Sequence, residues 1–500
     1  MEVVIPLSRN KVNGIAVMFV LQFFSSVTFS IIFSLLALYS LFNLHFETHA
    51  AYNLVAAYNA LGYAPAILGG VLAERYLGYR LAVKISVFLG IAGMLILIIP
   101  HIAALYFGLA CITLSSGIMT PALLVLLGRL YAPGETNRVS GFTIAYVGTD
   151  AGTFIAAASS GYLSSYFGYG LTFIFGAFCL LIMLIIFLKY ETIYVSQAKV
   201  VLVHHAFTRL KGTLIVLLFL PIMILLLDFA ATCNLLMLLC GIVSAGFIVF
   251  CALKEKGQYR GKLFLFLSLL CVSCIFDSLY FLSPSTLTVF TQLNVNRHMG
   301  GFFIPAATYS ALNPLFVIIL GPLMSMLWMK LSRAKKDLSL PIKFAIGILL
   351  MGVGYLVLMK GAQHPDYLGG VSSSWIISSY FLQTVGELFI SPTGYAMVGS
   401  LVPVYLEGTM MGISQFSSGV GGALSGFTSN WITPPSEGSP FVTNVWYQHA
   451  FGWIGFFSVF IGILVFFAVP YLKKLGGLSS DPVIPSALDT APIHEALDIH

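Results

Sequence analysis

Residues 171–190 read LTFIFGAFCLLIMLIIFLKY, and no charged side chain falls between Leu171 and Leu188. A helix rises about 1.5 Å per residue, so roughly 20 such residues cross the hydrocarbon core of a bilayer. Similar apolar runs precede it at about 14–42, 50–73, 79–100, 102–131 and 139–166. Two more follow at about 213–231 and 233–253, then six at about 261–283, 303–331, 340–360, 373–400, 403–431 and 447–472. Within lipid every backbone N–H and C=O must be satisfied internally, which only helices and closed barrels achieve. These runs are unbroken rather than the short alternating segments of a barrel strand. The predicted fold class is an all-α membrane protein.

Composition agrees. The chain is 59% hydrophobic and only 8% charged, with a mean hydropathy of +0.96. A soluble domain carries about 25% charged residues, so this chain cannot cover a water-facing surface and is no soluble enzyme or nucleic-acid-binding module. The first run is too long for a signal-peptide core and has no small-residue cleavage site after it. The seven cysteines lie in or beside apolar runs and read as small buried hydrophobes, with no disulfide framework. Neither HExxH nor GxSxG occurs, no filter motif points to a channel, and no cofactor or metal is called for.

Charge placement tests the helix count. With the N-terminus in the cytoplasm, the inner segments hold Arg9/Lys11, Arg75/Arg80/Lys84, Arg129/Arg138 and Lys189/Lys199/Arg209/Lys211. They also hold Lys254/Lys256/Arg260/Lys262, Lys330/Arg333/Lys335/Lys336/Lys343 and Lys473/Lys474, leaving only Arg297 and Lys360 outside. A wrong count would scramble this alternation, so both termini are expected in the cytoplasm of a bacterial inner membrane. The predicted layout is a six-helix half over 1–190, a linker with a helical pair over 191–260 and a second six-helix half over 261–472. A disordered tail over 473–500 follows, rich in Pro, Ser and Asp. Two halves around a central cavity suit alternating access.

The loop Gly69-Gly70-Val71-Leu72-Ala73-Glu74-Arg75-Tyr76-Leu77-Gly78-Tyr79-Arg80 places an acid among bases at a glycine-rich helix junction. Glu74, Arg75 and Arg80 are candidates for a charge cluster that latches one conformation. This loop resembles the signature of the major facilitator superfamily. A narrower likeness lies in Gly386-Glu387-Leu388-Phe389-Ile390-Ser391-Pro392-Thr393-Gly394, followed by Met410-Met411-Gly412. With Asn294-Val295-Asn296-Arg297, Ala311-Leu312-Asn313-Pro314 and Gly128-Arg129-Leu130-Tyr131, it resembles the proton-dependent oligopeptide transporter family over about residues 10–472. The resemblance implies the major facilitator fold, with twelve transmembrane helices and two extra ones between the halves. It also implies that Glu387 holds a peptide amine and that Asn313, with Ser391 nearby, helps bind the peptide.

The chain departs from that pattern where protons are handled. The family's first-helix E-x-x-E-R-F falls on Gln22-Phe23-Phe24-Ser25-Ser26-Val27, and a further arginine falls on Phe33. The fourth-helix lysine falls on Thr120, the seventh-helix acid on Phe281 and a fifth-helix asparagine on Asp150. Four acids lie in or at the edges of spans: Asp150, Asp228, Asp277 and Glu387. An ionisable group at mid-membrane costs roughly 2.5–3.5 kcal/mol and usually faces a cavity or a partner. Asp150, Asp277 and Glu387 are the candidates for carrying a coupling proton, and Asp228 reads as interfacial. Gln383, Tyr380, Asn59 and Gln415 are pocket or packing polars, and His204-His205 a solvated loop.

The expected function is secondary transport of a small organic solute, most simply a short peptide or amine-bearing relative, by a monomer in the bilayer. An acidic cavity without the family's positive charges is expected to disfavour free carboxylates. An exporter or facilitator of drug-like, siderophore-like or metabolite solutes, and a non-transporting receptor, are the alternatives.

Overall fold

The structure is a computed structural model and describes residues 9–131, 138–194, 206–255, 257–334, 336, 338–434 and 438–477. His204, His205 and the tail beyond 477 lie outside these residues. The first group of helices is α1 (Arg9–Leu38), α2 (Thr48–Leu61), α3 (Pro65–Leu72), α4 (Tyr79–Ile96), α5 (Ile102–Gly128) and α6 (Arg138–Tyr190). Then come α7 (Ala206–Asp228) and α8 (Ala230–Lys254), with Asp228 at the turn between them. The last group is α9 (Gln258–Tyr280), α10 (Thr288–Asn294), α11 (Leu312–Arg333), α12 (Leu340–Gln363), α13 (Ser373–Leu401), α14 (Glu407–Ile432) and α15 (Pro440–Leu475).

Ten helical segments among the described residues are long and apolar enough to cross a membrane. One of these, Gly141–Tyr194, is 54 residues long and holds two crossings, because Gly168 (φ 82°) reverses the chain inside it. Only glycine takes that conformation without strain. The expected span over about 50–73 is interrupted at 62–64 and restarts with Pro65 in the first turn of α3. Proline lacks the N–H that the helix interior needs and so marks the restart. The span over about 261–283 is longer than the sequence suggests: α9 continues through a wide turn at Ser283–Leu287, beside Pro284, into α10. Helices α13 and α14 are absent from the ten because Ser, Thr, Gln, Gly and Glu dilute their apolar residues. These more polar helices turn out to line the centre.

Two of the buried cores each belong mainly to one group of helices, while a third joins Ile31 and Tyr58 of the first group to Leu227 of the pair and Val289 and Ala423 of the last. Ile15, Met18, Val87, Leu123, Leu180 and Phe187 pack together in the first group. Phe266, Phe276, Phe290, Phe344, Tyr355 and Phe451 pack together in the last. Because lipid is as apolar as leucine, helices associate here by close approach rather than by escape from water. On α6, a Cβ at Gly148 would sit 2.5 Å from the Phe19 carbonyl of α1, and one at Gly152 would strike the Phe23 carbonyl. On α13, a Cβ at Gly386 would sit 2.6 Å from the Gly347 carbonyl of α12.

Contacts that bridge the two groups gather at one end. The Ser34 and Ser310 hydroxyls are 2.8 Å apart, and Asn430 Nδ2 donates to Asn53 Oδ1 at 2.8 Å. A Cβ at Gly422 of α14 would lie 3.1 Å from the Ala60 nitrogen of α2, and one at Gly161 would strike Thr308 Oγ1. Toward the opposite end, a Cβ at Gly394, Gly399, Gly408 or Gly412 would meet nothing within 4 Å. The halves therefore meet at one end and part toward the other.

Seven free thiols are present, and Cys240 and Cys271 are exposed rather than buried, because their helix faces turn outward. Cys271 and Cys274 stand as a C-x-x-C pair on α9, with both thiols free.

Candidate functional site

Helical periodicity aims the central acids. Gly148 and Gly152 share the face of α6 packed against α1, and Asp150 is about 200° around the helix from either. Asp150 thus points away from α1. On α13, Ser379, Gln383 and Gly386 face α12: Ser379 Oγ donates to the Gly354 carbonyl at 2.8 Å, and Gln383 Nε2 donates to Ser379 Oγ at 2.9 Å. Thr384, Glu387 and Ser391 follow the i, i+3, i+7 spacing of the adjacent stripe.

That stripe meets α11. Asn313 Nδ2 donates to Glu387 Oε2 at 2.6 Å and to Thr384 Oγ1 at 3.1 Å. Asn313 Oδ1 accepts from the Tyr280 hydroxyl at 3.2 Å. Glu387 is thereby held in place by neutral groups, with the second oxygen of its carboxylate given no protein hydrogen bond among the described residues. Ser391 lies one turn on, half-buried.

Asp277, on α9, accepts a hydrogen bond from Ser418 Oγ of α14 at 2.9 Å. Gly421 lets α14 come this close, since a Cβ there would be 2.5 Å from that of Asp277. Glu387 stands within electrostatic reach of Asp150 and Asp277, and Tyr280 within reach of Glu387, Asp150, Tyr63 and Tyr146. One acid from the first group and two from the last therefore lie near one another. Tyr63, Tyr280, Thr384 and Ser418 join the site without having been singled out in the sequence. Thr384 had a signal, one turn before Glu387. Ser418 had none, lying 141 residues from its partner.

An aromatic cluster occupies the positions where the chain departs from the family pattern. Phe33 of α1 and Phe281, just after α9, meet edge-to-face with centroids 6.5 Å apart. Tyr63 lies 6.2 Å from Phe281, Tyr280 5.5 Å from Phe281 and Phe29 6.5 Å from Phe33. Gln22 is buried and Thr120 exposed. Among the other polar candidates, Tyr380 pairs with Ser283 at 2.6 Å and Asn59 is buried beside Gly422.

The glycine-rich loop lies at the end where the halves part. Arg80 reaches Glu191 at 2.7 Å, and Lys84 reaches the same carboxylate at 3.0 Å. The Arg129 guanidinium lies 4.6 Å from the Tyr79 ring centre. These contacts tie the start of α4 to the ends of α5 and α6 within one half. Glu191 is a partner of Arg80 that the loop motif, more than a hundred residues earlier, gave no means of finding.

Two helical halves, a polar centre between them and closure at one end define a membrane transporter of the major facilitator fold. A model of the POT family matches residues 80–454, and the chain belongs to that family. Dipeptide and tripeptide permease A of Erwinia pyrifoliae is 30% identical, covering 85% of this chain and 86% of the permease. Dipeptide and tripeptide permease B of Photorhabdus asymbiotica is 27% identical, covering 88% and 91% respectively. Among solved structures, a POT family transporter in complex with 5-aminolevulinic acid superimposes with a TM-score of 0.80 at 23% identity, covering 92% of this chain and 97% of that one. A tetrameric peptide transporter superimposes with a TM-score of 0.82 at 19% identity, covering 93% and 99%.

Proposed function

We propose that this protein is a secondary active transporter of short peptides and amine-bearing peptide-like compounds, working by alternating access. The observation that carries this reading is Glu387, a carboxylate within the spans that Asn313 fixes by a 2.6 Å hydrogen bond. A primary ammonium group has three donors and matches a carboxylate acceptor, while the Asn313 and Ser391 side chains suit a substrate's polar backbone. The names of the permeases support peptides as the solute. Asp150, Asp277 and Glu387 are the groups we assign to proton coupling, and a single chain, holding both halves, is the transporting unit.

With basic segments on the cytoplasmic side, the closed end holding Ser34 and Ser310 faces outward and the chamber opens inward. The same charge pattern supports a cytoplasmic location for both termini, in a bacterial inner membrane. Glu74, Arg75 and Arg80 then lie at the inner mouth, where a latch between conformations would act.

Uptake of radiolabelled dialanine and of its C-terminal amide into proteoliposomes, with and without an imposed proton gradient, tests the reading, and transport of either compound supports it. A hydrogen bond to a charged group contributes about 1.5–3 kcal/mol. Glu387→Gln should therefore weaken substrate affinity by roughly 10- to 100-fold. Unchanged affinity in a folded Glu387→Gln protein would remove this residue from the site.

A further inference from the structure

We infer that Phe33 and Phe281 make the chamber select solutes that carry an amine and lack a free carboxylate. This rests on the transport reading above and specifies its substrate class. The two rings belong to different halves and meet 6.5 Å apart, so they form part of the chamber's closed end. Tyr280 connects them to the amine site: its ring lies 5.5 Å from that of Phe281, and its hydroxyl bonds Asn313, which bonds Glu387. A solute with its amine on Glu387 therefore directs its other end towards this aromatic wall or towards Asp150.

Neither destination suits a carboxylate. Among the described residues, the hydrogen-bonded network around Glu387 consists of Asn313, Thr384 and Tyr280, none of which carries a positive charge. Arg297 is engaged elsewhere, donating to Gln292 at 2.9 Å and lying 4.8 Å from the Phe303 ring centre. An anion leaving water needs a cation or several donors to replace its hydration. Aromatic faces carry negative potential, which attracts cations and repels anions. An amide or ester end loses far less on desolvation and packs against Phe33 and Phe281 as an apolar group.

The test compares L-alanyl-L-alanine with L-alanyl-L-alaninamide, by calorimetric titration of the full-length protein at pH 6.5. Both amines are protonated there, since a free α-amino group titrates near pH 8. The expected result is at least tenfold tighter binding of the amide. Phe33→Arg should narrow or reverse the preference, because it supplies a cation beside Phe281, while Phe33→Leu should retain it. If Phe33→Arg does not fold, Phe281→Arg takes its place with the same expectation. Equal binding, or tighter binding of the free dipeptide, overturns the selectivity and leaves the transport reading standing. Binding of neither compound overturns both.

Discussion

Asn59 is 1% exposed, and neither its side-chain oxygen nor its nitrogen has a hydrogen-bond partner among the described residues. It lies where α2 meets α14, with its Cβ 3.3 Å from the Cβ that Gly422 would carry. A buried amide without a partner costs about 1–3 kcal/mol, so it weakens the closed end and favours the opening of this seam. Asn59→Leu, similar in shape, should raise the melting temperature and slow turnover, measured by thermal unfolding and by uptake. A lower melting temperature would contradict this role. Asp150 bears on the chamber rather than the seam. Asp150→Asn keeps its size but removes its titration, so gradient-driven accumulation should fall while equilibrium exchange of substrate persists. Loss of both would assign Asp150 to binding rather than coupling.

At the scale of elements, α6 and α13 are each divided between a packing face and a chamber face. The packing faces approach a neighbouring backbone through glycine, and this holds the chamber face at a fixed angle. Gly148→Val would drive side-chain atoms into the Phe19 carbonyl, a backbone group that cannot rotate away. Overpacking of this kind costs about 1–3 kcal/mol. Gly394→Ala meets open space and should stabilise α13 by about 0.5–1 kcal/mol through helix propensity. Thermal melts of the two variants should move in opposite directions. Equal shifts would mean that α1 and α6 do not pack as described. The dual character of α13 also explains its limited legibility: the Gly386-Glu387 motif was plain in the sequence, but not that Gln383 belongs to the α12 face and Thr384 to the site.

For the whole molecule, transport requires that the closed end open. Ser34 and Ser310 hydroxyls are 2.8 Å apart across the halves, close enough for a cysteine pair to bridge after slight relaxation. In a background lacking the exposed Cys240 and Cys271, Ser34→Cys with Ser310→Cys should lose uptake on oxidation and regain it on reduction. Full activity of the oxidised, cross-linked protein would rule out opening at this seam. The same geometry makes the closed end a seam of serine, asparagine, glycine and aromatic contacts, which salt screens far less than exposed charge pairs.

The sequence by itself determined the solvent around this chain, the succession of helices and the family, because the length and apolarity of a spanning helix are local properties. Lipid requires each segment to satisfy its own backbone, and that requirement is written in consecutive residues. The family motif around Glu387 was legible for the same reason. Only the tertiary structure decided that Asn313 holds Glu387, that Ser418 bonds Asp277 and that Phe33 meets Phe281. Those pairings join helices far apart in the chain. They depend on close approach at individual glycines, and since lipid and core are equally apolar, no hydrophobic periodicity announces which side of a helix turns inward.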